Sequence, residues 1–222
     1  MHDATDTHGL NSANRVNVGA ATTADSPPAA AESHRHAIAR IVRGLDPFDE
    51  VERAQQTAVR EWIDSGAELY RVVPPDIPLM HLVSYFVPFD RETNSVLVAA
   101  HRKSGLDLPP GGHCEPGELP WQTVERECVE ELGVAAVPAP TIGPHPLFLT
   151  VAETRGDMGR HTDVSFWFVL DLAAADEALR PDPREFAAVR WLPLDSVLAE
   201  PIARFDPNIH RFARKLHAAL AA

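Results

Sequence analysis

The sequence predicts an α/β layered fold, a mixed β-sheet covered by helices and preceded by N-terminal helices. Two observations carry this expectation. Runs of clustered or alternating large apolar residues, which read as strands, are interspersed with stretches whose apolar residues recur at helical spacing. Short, turn-rich links between some of the strand-like runs imply antiparallel hairpins alongside crossovers, and hence a mixed sheet. With 222 residues and 45% apolar content the chain can bury a real core, as one compact domain of about 68–222 with an appendage.

Residues 1–33 are rich in Ala, Thr, Asn, Ser and Asp, include a Pro27-Pro28 pair and lack any sustained apolar period, so a disordered tail is expected. A helical extension, 34–67, follows. Ile38, Ile41, Val42 and Leu45 have helical spacing from His34 to a stop near Gly44. Asp46-Pro47-Phe48-Asp49 reads as an N-cap, a proline at N1 and an acidic N3, opening a second helix to Asp64 with Phe48, Val51, Val59, Trp62 and Ile63 on its buried face. These helices serve packing, dimerisation or the shaping of a substrate pocket, with packing the favoured role and a homodimer left open.

Strands are expected over 80–88 and 95–101, separated by the turn-rich FDRETN, then over 147–153, 163–172 and 187–192. TRGDMGRHT is read as the loop before the fourth of them. Asp195 suits the cap of a short helix. Asp206-Pro207 opens a last one with Ile209, Phe212 and Leu216 on one side.

Between the second and third strands lies the segment GHCEPGELPWQTVERECVEELGV, Gly112 to Val134. A helix from Pro120 to Leu132 fits it: proline suits the first turn and Gly133 the stop, although Leu119 is a poor N-cap. Trp121, Val124, Cys128 and Leu132 then form an apolar stripe. Glu127, Glu130 and Glu131, at i, i+3 and i+4, project from a separate face and converge. Carboxylates so close repel one another unless a hard divalent cation sits among them, and Mg²⁺ or Mn²⁺ takes oxygen ligands.

The segment resembles the signature of the Nudix hydrolases: Gly, five residues, Glu, seven residues, Arg-Glu-apolar-x-Glu-Glu-x-Gly-apolar. Gly112, Glu118, Arg126, Glu127, Glu130, Glu131 and Gly133 meet its fixed positions, with Cys128 and Val134 at the apolar ones. The resemblance implies an α/β/α sandwich. It also implies a Mg²⁺- or Mn²⁺-dependent pyrophosphohydrolase that splits a nucleoside diphosphate linked to another moiety into a nucleoside monophosphate and a phosphorylated fragment. Triphosphates, oxidised nucleotides, nucleotide sugars and ADP-ribose-like compounds are all candidate substrates. By the same resemblance Glu127, Glu130 and Glu131 supply metal ligands or the base, the Gly111 carbonyl adds a ligand, Arg126 orients the glutamates, and Glu118 is structural. Glu185, six residues before Trp191, stands where relatives often place a further metal-binding or basic glutamate. The rival readings are a solvated acidic helix face and a nucleotide-binding regulatory module without catalysis.

Gly111 and Gly112 allow close backbone approach to a ligand. His101, Arg102 and Lys103 precede this loop and could meet substrate phosphates, as could Arg155 and Arg160. Phe148 and Trp167 could stack on a base, but strand aromatics are more often core. His113, His145 and His161 have irregular spacing, which argues against a transition-metal site. Cys114 lies in the signature loop and Cys128 in helix core. A net charge of −12 gives no basic stripe for a nucleic-acid polymer. With no run of 18 apolar residues and no hydrophobic secretory segment, a reducing cytoplasm is expected. Arginine far outnumbers lysine, only Lys103 and Lys215 being present, a weak pointer to a GC-rich bacterial source.

Overall fold

The computed structural model describes residues 28–73, 77–156, 159–171 and 179–221. The expectation of a tail therefore lies outside the described residues for 1–27, as does that for the side chain of Arg155. Helices α1 (Pro28–Gly44) and α2 (Glu50–Asp64) precede strands β1 (Met80–Asp90), β2 (Ser95–His101), β3 (Asp107–Leu108) and β4 (Gly111–His113). Helix α3 (Pro120–Leu132), β5 (Phe148–Gly156), β6 (Gly159–Asp171), β7 (Phe186–Pro193), α4 (Leu194–Ala199) and α5 (Ile209–Ala221) complete the order.

The strands form one mixed sheet in the order β3-β2-β1-β6-β5, with β4 also on β1 and β7 also on β2. β1 and β6 run parallel over ten residue pairs, from Met80 opposite Thr162 to Phe89 opposite Asp171, and the other pairings are antiparallel. Alternation along β1 and β6 divides the core in two. Leu82, Phe86, Phe166 and Phe168 point to the face covered by α1, α2 and α3, where Ile38, Val42, Val59, Ile63, Val124, Cys128 and Leu132 join them. Val87, Phe148, Trp167 and Val169 point to the face covered by α4 and α5, against Val197, Phe212 and Leu216. The result is a helix–sheet–helix sandwich whose first layer includes the N-terminal helices.

Four local expectations need correction. α1 starts at Pro28, where proline is compatible with a first turn, rather than at His34. α2 is capped by Asp49, whose Oδ1 accepts the Glu52 N–H at 2.8 Å, rather than by Asp46. The later start turns Phe48 and Val51 outward, at 41% and 52% exposure, and buries Glu52 in their place. β6 starts at Gly159, because the antiparallel register with β5 continues through His161 opposite Thr154 to the tip, so much of the expected loop is strand. Asp195 lies in the first turn of α4, whose cap position is Pro193.

Glu52 joins α2 to the sandwich. Lys215 of α5 donates from Nζ to both of its oxygens, at 2.8 and 3.0 Å, and to the Asp46 carbonyl at 2.7 Å. Glu52 also accepts the backbone N–H groups of Phe48 and, on β5, of Leu149. Gln55 donates to the Val151 carbonyl at 3.0 Å. Because β5 is an edge strand, α2 thereby satisfies polar groups that would otherwise invite another strand. Arg211 adds a bidentate pair to Asp49 at 2.7 and 2.8 Å.

Replacing Lys215 by Met leaves the Glu52 charge buried and should destabilise the fold by about 3 kcal/mol in urea unfolding, with partial recovery in the Glu52→Gln/Lys215→Met double variant. The Arg211 hydrogen bonds hold the Asp49 carboxyl down to about 2, below the ordinary 3.8. Its contribution to stability is therefore complete above the ordinary value and lost as pH falls through about 2. Asp49→Asn should flatten that part of the acid-unfolding curve and leave neutral-pH folding cooperative.

Candidate functional site

Helix α3 begins without a side-chain acceptor at Leu119; instead the Gln122 Oε1 turns back to accept the Leu119 N–H at 2.8 Å. Gly133 ends it at φ 69, a left-handed conformation that suits glycine. With Val124, Cys128 and Leu132 locked into the core, the acidic face has one orientation, towards β4.

Arg126 organises that face. Its guanidinium donates to both oxygens of Glu118, at 2.8 and 3.0 Å, to Glu127 Oε1 at 2.8 Å, to Glu130 Oε2 at 3.4 Å and to the His113 carbonyl at 3.1 Å. Glu118 also accepts the Thr123 hydroxyl and the Glu115 N–H. Arg126 thus bridges Glu118, Glu127 and Glu130, and Glu118 is held by Arg126, Thr123 and the Glu115 backbone.

The two glycines of β4 receive the other carboxylates. Gly111 donates its N–H to Glu131 Oε2 at 2.7 Å. Its φ is +139, and a Cβ there would lie 2.1 Å from the Ser84 carbonyl oxygen on β1. At Gly112 a Cβ would lie 2.0 Å from Glu127 Oε1, so the carboxylate occupies the space a side chain would take.

Glu127, Glu130 and Glu131 face Asp182 and Glu185 across a cleft of about 240 Å³, where Arg184 on the wall is tied to Asp182. Burial, reinforced by the charge of Glu127, pushes Glu131 up to about 8, and burial also raises Glu127. Both shifts are chiefly the cost of holding a carboxylate charge away from water, with neighbouring acids adding to it. All the donors are hard oxygens, and the residues present therefore fit Mg²⁺ or Mn²⁺.

A larger cleft of about 380 Å³ adjoins on the far side of Glu131, and His101, Lys103, Gly112 and Glu185 line it. Glu185 thus reaches the carboxylates from the loop before β7, its Oε2 lying 3.8 Å from His101 Nε2. Two expected substrate contacts stand elsewhere. Arg102 donates from Nε to the Pro183 carbonyl at 2.8 Å, bracing the Glu185 loop. Arg160 is paired with Glu153 at 2.8 Å on the exposed β5–β6 hairpin. Phe148 and Trp167 are fully buried and offer no face to a base. Burial pushes the Cys114 and Cys128 thiols up to about 11 and about 12, which leaves neither nucleophilic near neutrality.

Sequence reasoning missed Arg71, on the wall of the larger cleft, and a cluster on its floor. There His81, His113, His161 and Asp163 bring ligand-type atoms within 4.8 Å of one another. His145 lies apart, beside an apolar cavity bordered by α1 and Trp121. His113 and His161, read from their irregular spacing as loop residues, are thus brought together with His81 and Asp163. Only the two-residue spacing of His161 and Asp163 hinted at it, and that signal needed a strand running through both.

A sequence model described as the NUDIX domain matches residues 80–214. No curated protein matches the chain. Among solved structures, a NUDIX-family hydrolase from Clostridium perfringens is 22% identical, with 62% of this chain and 97% of that one covered and a TM-score of 0.43. A NUDIX hydrolase from Nitrosomonas europaea is 21% identical, covering 62% and 88%, with a TM-score of 0.47. A MutT NUDIX hydrolase from Burkholderia pseudomallei is 21% identical, covering 60% and 95%, with a TM-score of 0.45.

The two glycines should separate fold from site. Gly111→Ala meets backbone in a conformation that disfavours side chains, and should lower unfolding stability by more than about 1 kcal/mol. Gly112→Ala meets only the end of the Glu127 side chain, and should keep the circular dichroism spectrum and melting temperature while weakening Mn²⁺ binding in calorimetric titration.

Proposed function

The chain belongs to the NUDIX hydrolase family, and on that premise we propose that it is a divalent-metal-dependent pyrophosphohydrolase, converting a nucleoside diphosphate linked to another moiety into a nucleoside monophosphate and the phosphorylated remainder. The observation that carries this reading is the gathering of Glu127, Glu130, Glu131 and Glu185 around one cleft that opens beside a second cleft with basic walls.

Glu127, Glu130, Glu131 and Glu185, with the Gly111 carbonyl, would hold Mg²⁺ or Mn²⁺. The bound ion supplies Lewis-acid polarisation of phosphate oxygens and a more acidic water. Arg126 keeps Glu127 and Glu130 in place through its short contacts and so limits the reorganisation needed during reaction. One carboxylate, Glu127 or Glu131, accepts the proton of the attacking water; Glu131 is the more buried of the two by its surroundings and the more strongly raised. His101 and Lys103, with Arg71 and the Gly112 backbone, offer positive or hydrogen-bonding groups to the diphosphate. A (d)NTP, an oxidised nucleotide, a nucleotide sugar and an ADP-ribose-like compound all present that diphosphate. Free, buried Cys114 and Cys128 support a reducing compartment, the cytoplasm.

The test is turnover of a panel of these four compound classes by the purified chain with Mg²⁺ or Mn²⁺, read as phosphate-containing products. Cleavage at the diphosphate bridge is expected, and Glu131→Gln should lower kcat at least about a hundredfold with an unchanged circular dichroism spectrum. Undiminished activity in that variant refutes the assigned roles. Saturable nucleotide binding with no turnover by the wild type would favour a regulatory module.

A further inference from the structure

We propose that His81, His113, His161 and Asp163 form a second metal site, chemically distinct from the glutamate cleft, that takes a borderline divalent transition-metal ion, Zn²⁺ above all. The proposal does not rest on the hydrolytic reading.

Strand register gathers the four residues. His81 and Asp163 are direct partners across the parallel β1–β6 pairing, and His161 lies two residues before Asp163 on the same face of β6. His113 of β4 pairs with Val83, which is two residues after His81 and so shares its face. His81, His161 and Asp163 are at most 6% exposed. This is a deep position for three titratable side chains.

The donor atoms are also set for a metal. His81 Nδ1 lies 2.7 Å from the Pro78 carbonyl; as a donor there it leaves the lone pair on Nε2, which faces the cluster. The Thr154 hydroxyl donates to Asp163 Oδ2 at 2.9 Å and leaves Oδ1 facing inward. This division of labour, one atom held from outside and the other offered inward, is the usual support of ligating histidines and carboxylates. His81 Nε2, His113 Nε2 and Asp163 Oδ1 are buried and have no hydrogen-bond partner among the described residues. Asp163 Oδ1 lies 3.4 Å from His81 Nε2 and 3.3 Å from His161 Nε2. Bonds of 2.0–2.1 Å to a tetrahedral Zn²⁺ put neighbouring donors about 3.3 Å apart, so these spacings already match two edges of such a shell.

Three imidazoles disfavour Mg²⁺, which takes oxygen donors, and select the softer ions that the glutamates do not. A complete protein shell has no vacant position for water, which makes the site structural. Its effect would pass through His113, whose neighbour Gly112 receives Glu127 and whose carbonyl receives Arg126. The ion would clamp β4 to β1 and β6 and so position the glycine loop.

The test uses the full chain, stripped by chelator and dialysed against micromolar Zn²⁺ with excess Mg²⁺ to occupy the glutamates. One tightly held Zn²⁺ per chain is expected by elemental analysis, and X-ray absorption at the zinc edge should show the outer-shell scattering of three imidazoles. His161→Gln and Asp163→Asn should each lose the retained zinc, whereas the Glu127→Gln/Glu130→Gln/Glu131→Gln triple variant should keep it. The proposal is overturned if the wild type retains no zinc, which would mean that His81 and Asp163 share only a proton. It is equally overturned by an oxygen-only absorption spectrum, or by zinc that survives in both cluster variants and disappears with the glutamates. Because the absorption measurement needs only wild-type protein, misfolding of a variant does not remove the test.

Discussion

Mutual repulsion among the carboxylates of Glu127, Glu130 and Glu131 is the constraint around which this molecule is arranged. Left to themselves, side chains three and four residues apart on a helix would swing away from one another. Here each has a reason to stay. Arg126 ties Glu127 and Glu130 together while its other edge is held by both oxygens of Glu118. Glu131 is drawn to the Gly111 N–H, and Glu127 occupies the space that the bare Gly112 leaves. Arg126 still leaves negative charge in excess around it, and burial, reinforced by the charge of Glu127, raises Glu131.

That arrangement requires β4 and α3 to keep a constant distance, and the sandwich supplies it. β4 contributes only three residues, Gly111–His113, but it pairs with β1, the strand that β6 flanks over ten residues on the other side. α3 contributes Val124, Cys128 and Leu132 to the same core that α1 and α2 enter through Ile38, Val42, Val59 and Ile63. The N-terminal helices are therefore part of the platform behind the acidic face. α2 additionally covers the β5 edge with Glu52 and Gln55, polar side chains matched to particular backbone groups rather than a merely apolar lid.

Local patterns made much of this legible in the sequence. α3 runs over the expected Pro120–Leu132, because proline, glycine and an apolar stripe mark it independently of context, and β2 runs over the expected Ser95–His101. The acids converge because helix geometry alone puts i, i+3 and i+4 on one side. What the sequence concealed depends on partners distant along the chain. Glu52 carries no sequence mark of burial, which rests on Lys215, 163 positions away, and on the Leu149 N–H of β5. Asp46 was the expected cap and Asp49 the third helical residue, whereas Asp49 caps α2 and is held by Arg211 from a distant helix. His81, His113 and His161 show no ligand spacing, since strand register, not sequence separation, brings them together. Arg160 and Arg102 were chosen by proximity to the signature or to a loop, and ion pairing and a carbonyl contact direct them elsewhere.

The central claim, that a single helical face of clustered carboxylates holds a divalent ion, is tested most directly by titrating the metal-free chain with Mn²⁺ and following the electron paramagnetic resonance signal of the free ion. The account predicts saturable loss of that signal, much weaker in Glu127→Gln, together with a bound-ion spectrum free of nitrogen hyperfine coupling when the protein is first loaded with zinc. Wild-type protein that leaves the free signal undiminished, or a Glu127→Gln variant that binds Mn²⁺ as tightly as the wild type, would contradict it.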